Sequence, residues 1–187
     1  MIILVHGQKR SGKNYLGSLF EKYGNFKQRA FADAMKDIIS ITFNINREFL
    51  EKLKNEEKEI YIKEENKYVS LTNFRRILQY FGTEAMKKYF GRNVWAELCF
   101  KEYKEDDKWV ITDLRFLEDE LLYVKNKFKD VITIKIIDNS IKRNDIHISE
   151  KEIDDKYFDY IFDNSKKDPE EAKKFVIDVL KKMKNKG

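Results

Sequence analysis

Gly7-Gln8-Lys9-Arg10-Ser11-Gly12-Lys13 sets two glycines and a lysine in the spacing G-x-x-x-x-G-K. Glycines so placed let the backbone turn until successive N–H groups point at phosphate oxygens. The lysine then reaches the β- and γ-phosphates as a point charge, and a helix opening directly after it adds its positive end. Gly7, Lys9, Arg10, Ser11, Gly12, Lys13 and Asn14 are therefore the candidates for holding ATP. Asn14 stands where Ser or Thr usually offers a hydroxyl to Mg²⁺. A carboxamide oxygen also ligates a hard cation, directly or through water.

Asp113 and Arg115 follow the apolar run Trp109-Val110-Ile111. That places both at the C-terminal end of a strand, the edge where open α/β sheets hold ligands. A carboxylate there orients Mg²⁺ or accepts a hydrogen bond from the acceptor; a guanidinium clamps an anion with its planar fork. Phosphoryl transfer needs positive charge around the transferring group, because the protein has little covalent chemistry to perform. Arg10, Lys36, Arg75, Arg76, Arg92, Arg115 and Arg143 are the further cations to weigh. His6 borders an apolar run and reads as core, and Cys99 as a small buried residue. Two histidines and one cysteine far apart offer no zinc spacing.

These residues need a frame, and strands alternating with helices supply one. Ile2–Val5 is fully apolar, as expected of a central parallel strand, and Leu16, Leu19, Phe20 and Tyr23 then recur at helical spacing before Gly24. A strand is expected over Gln28–Ala32 and a helix over Ala34–Phe43. Glu59–Lys63 and Lys67–Leu71 form a small inserted hairpin, and Thr72 caps a helix carrying Phe74, Ile77, Leu78 and Phe81 that ends near Gly82. Further helices are expected after Asn93 and through Leu117, Leu121, Val124 and Phe128, with strands at Val131–Ile137 and Tyr160–Phe162. Asp138–Lys156 is polar and irregular, which suits a mobile loop. Asp168, Pro169 and Glu170-Glu171 open a final amphipathic helix. The expected fold class is α/β: a three-layer α/β/α sandwich around a parallel sheet of about five strands, joined by right-handed crossovers.

The bulk numbers agree. A 187-residue chain with 42% hydrophobic and 38% charged residues fits one globular domain, 1–187. The net charge of +5 is small against 38 basic and 33 acidic residues that are interspersed, so no nucleic-acid partner is expected. No apolar run approaches the roughly 20 residues that span a bilayer, so no membrane partner is expected either. A lone cysteine fits a reducing, cytoplasmic compartment.

Four segments together resemble the bacteriophage-type deoxynucleoside monophosphate kinases, a branch of the P-loop nucleoside monophosphate kinases with an adenylate-kinase-like fold. They are Gly7–Asn14, close to G-x-K-R-S-G-K-D; Phe31-Ala32-Asp33-Ala34-Met35-Lys36-Asp37; Arg75-Arg76-Ile77-Leu78-Gln79-Tyr80-Phe81-Gly82-Thr83, followed by Trp95; and Asp113-Leu114-Arg115-Phe116 through Asn144–Glu150. The third looks like the family's R-R-x-L-Q-x-x-G-T stretch, its most specific mark. Asp163-Asn164 before a helix is similar to the family's nucleotide-base region, which adds Asn164 to the ATP-binding set.

The resemblance implies ATP- and Mg²⁺-dependent phosphorylation of a (deoxy)nucleoside 5′-monophosphate, in a host cytoplasm if the source is viral. It implies that Lys13 and Arg10 hold the donor, that Arg76 and Arg115 hold the acceptor phosphate with Lys36 in support, and that Arg75 and Gln79 belong to the acceptor site. Arg143 would act from a lid over about 138–157, and a nucleotide-binding insertion would span about 44–92. Asn14 and Asp113 would serve the metal. Homodimerisation stays open. Asn44–Val69 is shorter and more charged than the phage enzymes' middle section, so the base preference stays open too.

Animal-type phosphomevalonate kinases share a G-x-x-x-S-G-K-D loop and a D-x-R-R strand end. Here Phe116 follows Arg115, and the Gln79/Gly82-Thr83 stretch is present, which favours a nucleotide acceptor. A GTP-dependent switch would need an N-K-x-D motif, which does not occur. A catalytically silent nucleotide-binding module is the remaining alternative; Lys13, Asp113 and Arg115 together argue against it.

Overall fold

The computed structural model describes residues 1–56, 59–64, 67–140 and 152–184. The chain forms two compact units, Met1–Phe31 with Phe100–Gly187, and Ala32–Cys99.

The first unit is built on five strands: β1 (Ile2–Gly7), β2 (Lys27–Arg29), β5 (Trp109–Leu114), β6 (Val131–Ile137) and β7 (Tyr160–Asp163). They lie side by side in the order β2-β5-β1-β6-β7, every neighbouring pair parallel. Parallel strands need crossovers, and helices contribute to them: α1 (Lys13–Gly24) follows β1, and a π-helical stretch (Leu117–Leu122) with α7 (Tyr123–Lys127) joins β5 to β6; α8 (Pro169–Lys184) follows the last strand, β7. Ile3, Val5, Val110, Ile134 and Ile136 pack on one face against Leu16, Leu19 and Phe20 of α1 and Ala172, Val176, Val179 and Met183 of α8. Ile2, Leu4 and Ile111 alternate onto the other face and are equally buried, as are Leu121 and Val124. With both faces covered, the sheet is the expected α/β sandwich.

Strand order reverses at β1, which has β5 on one side and β6 on the other. At such a switch point the crossovers leave in opposite directions and open a crevice beyond the strands' C-terminal ends. Register pairs His6 with Leu114, so Gly7 and the Asp113–Arg115 turn end side by side there.

The second unit contains α2 (Asp33–Thr42), α3 (Arg47–Glu56), the antiparallel hairpin of β3 (Glu59–Glu64) and β4 (Lys67–Asn73), α4 (Phe74–Tyr80), a π-helical stretch (Phe81–Lys87), α5 (Lys88–Phe90) and α6 (Val94–Cys99). Ile39, Leu50, Phe74 and Leu78 form its core, with Met35, Phe43, Leu53 and Phe81 packed around them.

Three expectations are corrected. β2 ends at Arg29, not Ala32, because the N–H of Phe31 leaves the ladder and bonds Asp113 Oδ1 at 2.7 Å. The cap of α4 is Asn73 rather than Thr72: β4 runs on through Thr72, and Asn73 Oδ1 accepts the N–H of Arg76 at 3.0 Å. Helical structure also continues past Gly82, whose carbonyl accepts from Trp95 Nε1 at 2.8 Å inside the widened π turns. A Cβ there would lie 2.7 Å from Met35 Sδ, so a side chain at this position would displace the methionine. Among the described residues, no helix is long and apolar enough to cross a membrane.

Candidate active site

The loop between β1 and α1 turns through two left-handed residues, Arg10 (φ 69°) and Gly12 (φ 95°). Gly12 stands at the N-cap of α1 with no side-chain cap, so the helix opens with backbone N–H groups available to an anion. Gly7 sits in close quarters: a Cβ there would come within 2.6 Å of Ser11 Oγ and 3.0 Å of the Ile136 carbonyl oxygen, so a side chain would force the loop to shift. Ser11 is fully buried, and its hydroxyl and Gln8 Oε1 have no hydrogen-bond partner. Buried polar atoms without partners are costly, and here they line a loop shaped for a polar guest. Lys13 Nζ donates to the carbonyls of Gly7 (2.7 Å) and Gln8 (2.6 Å), which hold its charge at the loop. Lys9, Arg10 and Asn14 are exposed.

The neighbouring strand end is tied down by acids. Asp113 reaches across to the Phe31 N–H, fixing the chain where it leaves β2. Beyond it Glu120, only 4% exposed, accepts the N–H groups of Arg115 (2.7 Å) and Phe116 (3.1 Å) through one oxygen. Glu120 thus holds the turn that displays the exposed Arg115, a role no motif announced. His6 meets the core expectation: its ring bonds the Leu114 carbonyl through Nδ1 at 2.9 Å and stacks on Phe158 at 5.5 Å. Burial drives its pKa down to about 4; the Leu114 bond opposes this, and the charges of Lys135 and Lys13 reinforce it. It is a neutral imidazole near pH 7.

The edges of β6 and β7 complete the rim. Asn164 Nδ2 donates to the Ser11 carbonyl at 2.9 Å, joining β7's end to the phosphate loop. Asp138, at the end of β6, accepts from the N–H of Ser140 (3.0 Å) and lies 3.3 Å from Lys167 Nζ. Arg143 and the Asn144–Glu150 motif lie outside the described residues, as does most of the expected lid. On the lid's flank Ile153 is buried, and Lys135 Nζ, itself buried, donates to its carbonyl at 2.8 Å and pairs with Asp155 at 2.5 Å.

In the second unit Lys36 and Lys54 come together around Glu51. Lys36 Nζ lies 2.5 Å from Glu51 Oε1, and Lys54 pairs with the other oxygen. Burial raises the Glu51 pKa, but the hydrogen bonds from the two lysines outweigh it and hold the carboxyl at about 2. Burial lowers the pKa of Lys54; its bond to Glu51 opposes this, while the charges of Lys36 and Arg75 reinforce it. Arg76 is exposed, one residue on from Arg75, and the Gln79 carbonyl accepts from Thr83 Oγ1 at 2.6 Å. A second acid–base cluster, unforeseen from the sequence, has Arg47 bonding Asp33 Oδ1 at 2.8 Å and pairing with Asp37.

Of the residues singled out in the sequence, Gly7–Asn14, Asp113, Arg115 and Asn164 gather along one edge of the parallel sheet. Lys36, Arg75, Arg76 and Gln79 gather on α2 and α4 of the second unit. The loop's open helix end, its orphaned hydroxyl and Lys13 fit a nucleotide's phosphates. Among the described residues, no group of three or more His, Cys, Asp or Glu forms a metal site.

A family model described as deoxynucleotide monophosphate kinase matches residues 49–170, more than half of the chain. The match takes in Arg75–Thr83, Asp113–Arg115 and Asn164, and begins downstream of the glycine loop. No curated protein matches the chain.

Proposed function

The chain belongs to the deoxynucleotide monophosphate kinase family, and on that premise we propose how its residues divide the work. The enzyme phosphorylates a deoxynucleoside 5′-monophosphate at the expense of ATP. An oxygen of the acceptor phosphate attacks the γ-phosphorus; the bond to the β-bridging oxygen breaks, and ADP and the diphosphate leave. Catalysis of such a step is positioning and charge stabilisation.

The donor's phosphates lie in the Gly7–Asn14 loop, against the open N–H groups of α1 and the Ser11 hydroxyl. Lys13 moves from its two carbonyls to the β- and γ-phosphates, with Arg10 beside it. Arg115 clamps acceptor phosphate from a turn that Glu120 makes rigid. Arg75, Arg76, Gln79 and Lys36 serve the acceptor from the second unit, which acts as the nucleotide-binding insertion, and Arg143 acts from the lid. Asp113 and Asn14 are the residues that would hold Mg²⁺, directly or through water, and the ion would supply positive charge to offset that developing on the transferred group. The reaction takes place in a cytoplasm, a host's if the source is a phage.

The observation that carries this reading is the adjacency of Gly7 and the Asp113–Arg115 turn at the point where strand order reverses. The test is coupled ADP release over the four dNMPs and mevalonate phosphate, with and without a chelator. Turnover with at least one dNMP, lost on chelation, is expected. Arg115→Ala raises KM for the dNMP about tenfold or more while KM for ATP moves little. Turnover with mevalonate phosphate alone would overturn the reading.

A further inference from the structure

We propose that Asn164 is a positioning residue for the phosphate loop: its side-chain amide sets the orientation of the Ser11–Gly12 peptide instead of reading the nucleobase. The inference rests on the reading of Gly7–Asn14 as the donor-phosphate loop.

Asn164 is held from two directions before it touches the loop. Its backbone N–H bonds the Ile137 carbonyl at 2.8 Å, so the residue is fixed to the end of β6. On either side of it the chain is locked as a turn, in which Asp163 Oδ1 accepts the N–H of Ser165 at 2.9 Å and the Asn164 carbonyl accepts that of Lys167 at 3.0 Å. From this base Nδ2 donates to the Ser11 carbonyl at 2.9 Å, across 153 residues of sequence.

A trans peptide is planar, with its C=O and N–H pointing in opposite directions. Drawing the Ser11 carbonyl toward β7 therefore turns the Gly12 N–H to the other side, where it joins the donors of the α1 N-terminus. Gly12 fits this arrangement in a second way. A Cβ at that position would lie 2.6 Å from Asn164 Nδ2, and its φ of 95° disfavours any side chain. The motif's second glycine thus makes room for the amide as well as for the turn. With Nδ2 committed to the loop, the group acts on every nucleoside triphosphate alike.

The two roles separate experimentally in Asn164→Ala and the isosteric Asn164→Asp, which loses the donor but keeps the shape. The probes are ATP, GTP and inorganic tripolyphosphate, which has no base. Binding by the wild type is measured first; if it binds neither ATP nor tripolyphosphate, the donor-loop reading itself fails. Given wild-type binding, both variants are expected to weaken all three probes by a similar factor of about ten, the scale of one lost hydrogen bond. The ATP:GTP preference stays constant and KM for the dNMP is unchanged. Three results would overturn the inference: unchanged tripolyphosphate binding, a collapsed ATP:GTP preference, or wild-type behaviour in Asn164→Asp.

Discussion

At the scale of single residues, the site is governed by polar groups held against charge or against backbone. Lys13 rests on two carbonyls of its own loop, and the proposed exchange of these for phosphate oxygens would replace cation–dipole contacts by stronger contacts between opposite charges. His6, directly before the first glycine, is kept neutral by burial, with a pKa of about 4. The unfolded chain titrates this imidazole near 6.5, so as pH falls from 6.5 toward 4 it takes up a proton that the folded chain refuses. Stability is therefore full above pH 6.5 and declines through that window. His6→Asn should flatten this part of a urea-midpoint profile against pH; an unaltered slope would show that His6 is not the group responsible. The glycines, Lys13 and Asp113 were legible as types at a spacing. Glu120 and Asn164 were not read in these roles, because their contacts are to backbone amides and carbonyls, which no side-chain pattern encodes.

At the scale of elements, sequence pattern named every strand and most helices but not α3, whose apolar positions are few, and the errors at element ends have local causes. β2 stops early because a carboxylate from another strand takes its next N–H. The α4 cap moved one residue because Asn73 and Thr72 are both competent caps and the hairpin register decides between them. The helical run past Gly82 survives a glycine because the widened turns give its carbonyl to the Trp95 indole. That bond predicts the cost of losing it. Trp95 is 5% exposed and packs on Phe81, so Trp95→Phe both strands the Gly82 carbonyl and shrinks the ring. A loss of about 1–3 kcal/mol is expected from denaturant unfolding. An unchanged midpoint would mean that the π turns do not depend on the indole.

At the scale of the whole molecule, the order β2-β5-β1-β6-β7 decides where chemistry can occur. It sets the glycine loop beside the Asp113–Arg115 turn, although Lys13 and Asp113 are 100 positions apart in the sequence. Alternating strand and helix signals were enough to expect a parallel sheet with this edge; they did not contain the strand order, which is a matter of which crossovers pack. The chain's division into two compact units was likewise unreadable from composition, since no linker of glycine, serine or proline marks it. Gly7–Asn14, Asp113, Arg115 and Asn164 fall in one unit, and Lys36, Arg75, Arg76 and Gln79 in the other. The central claim is that the Gly7–Lys13 loop holds the ATP whose γ-phosphoryl group passes to a deoxynucleoside monophosphate. It is tested most directly by following labelled γ-phosphate from ATP to each of the four dNMPs, with wild type and Lys13→Ala compared at equal folded concentration. The account predicts labelled dNDP from at least one acceptor, and a loss of roughly 10²–10³-fold in the variant. Label that reaches none of the four acceptors, or transfers equally well without Lys13, would contradict it.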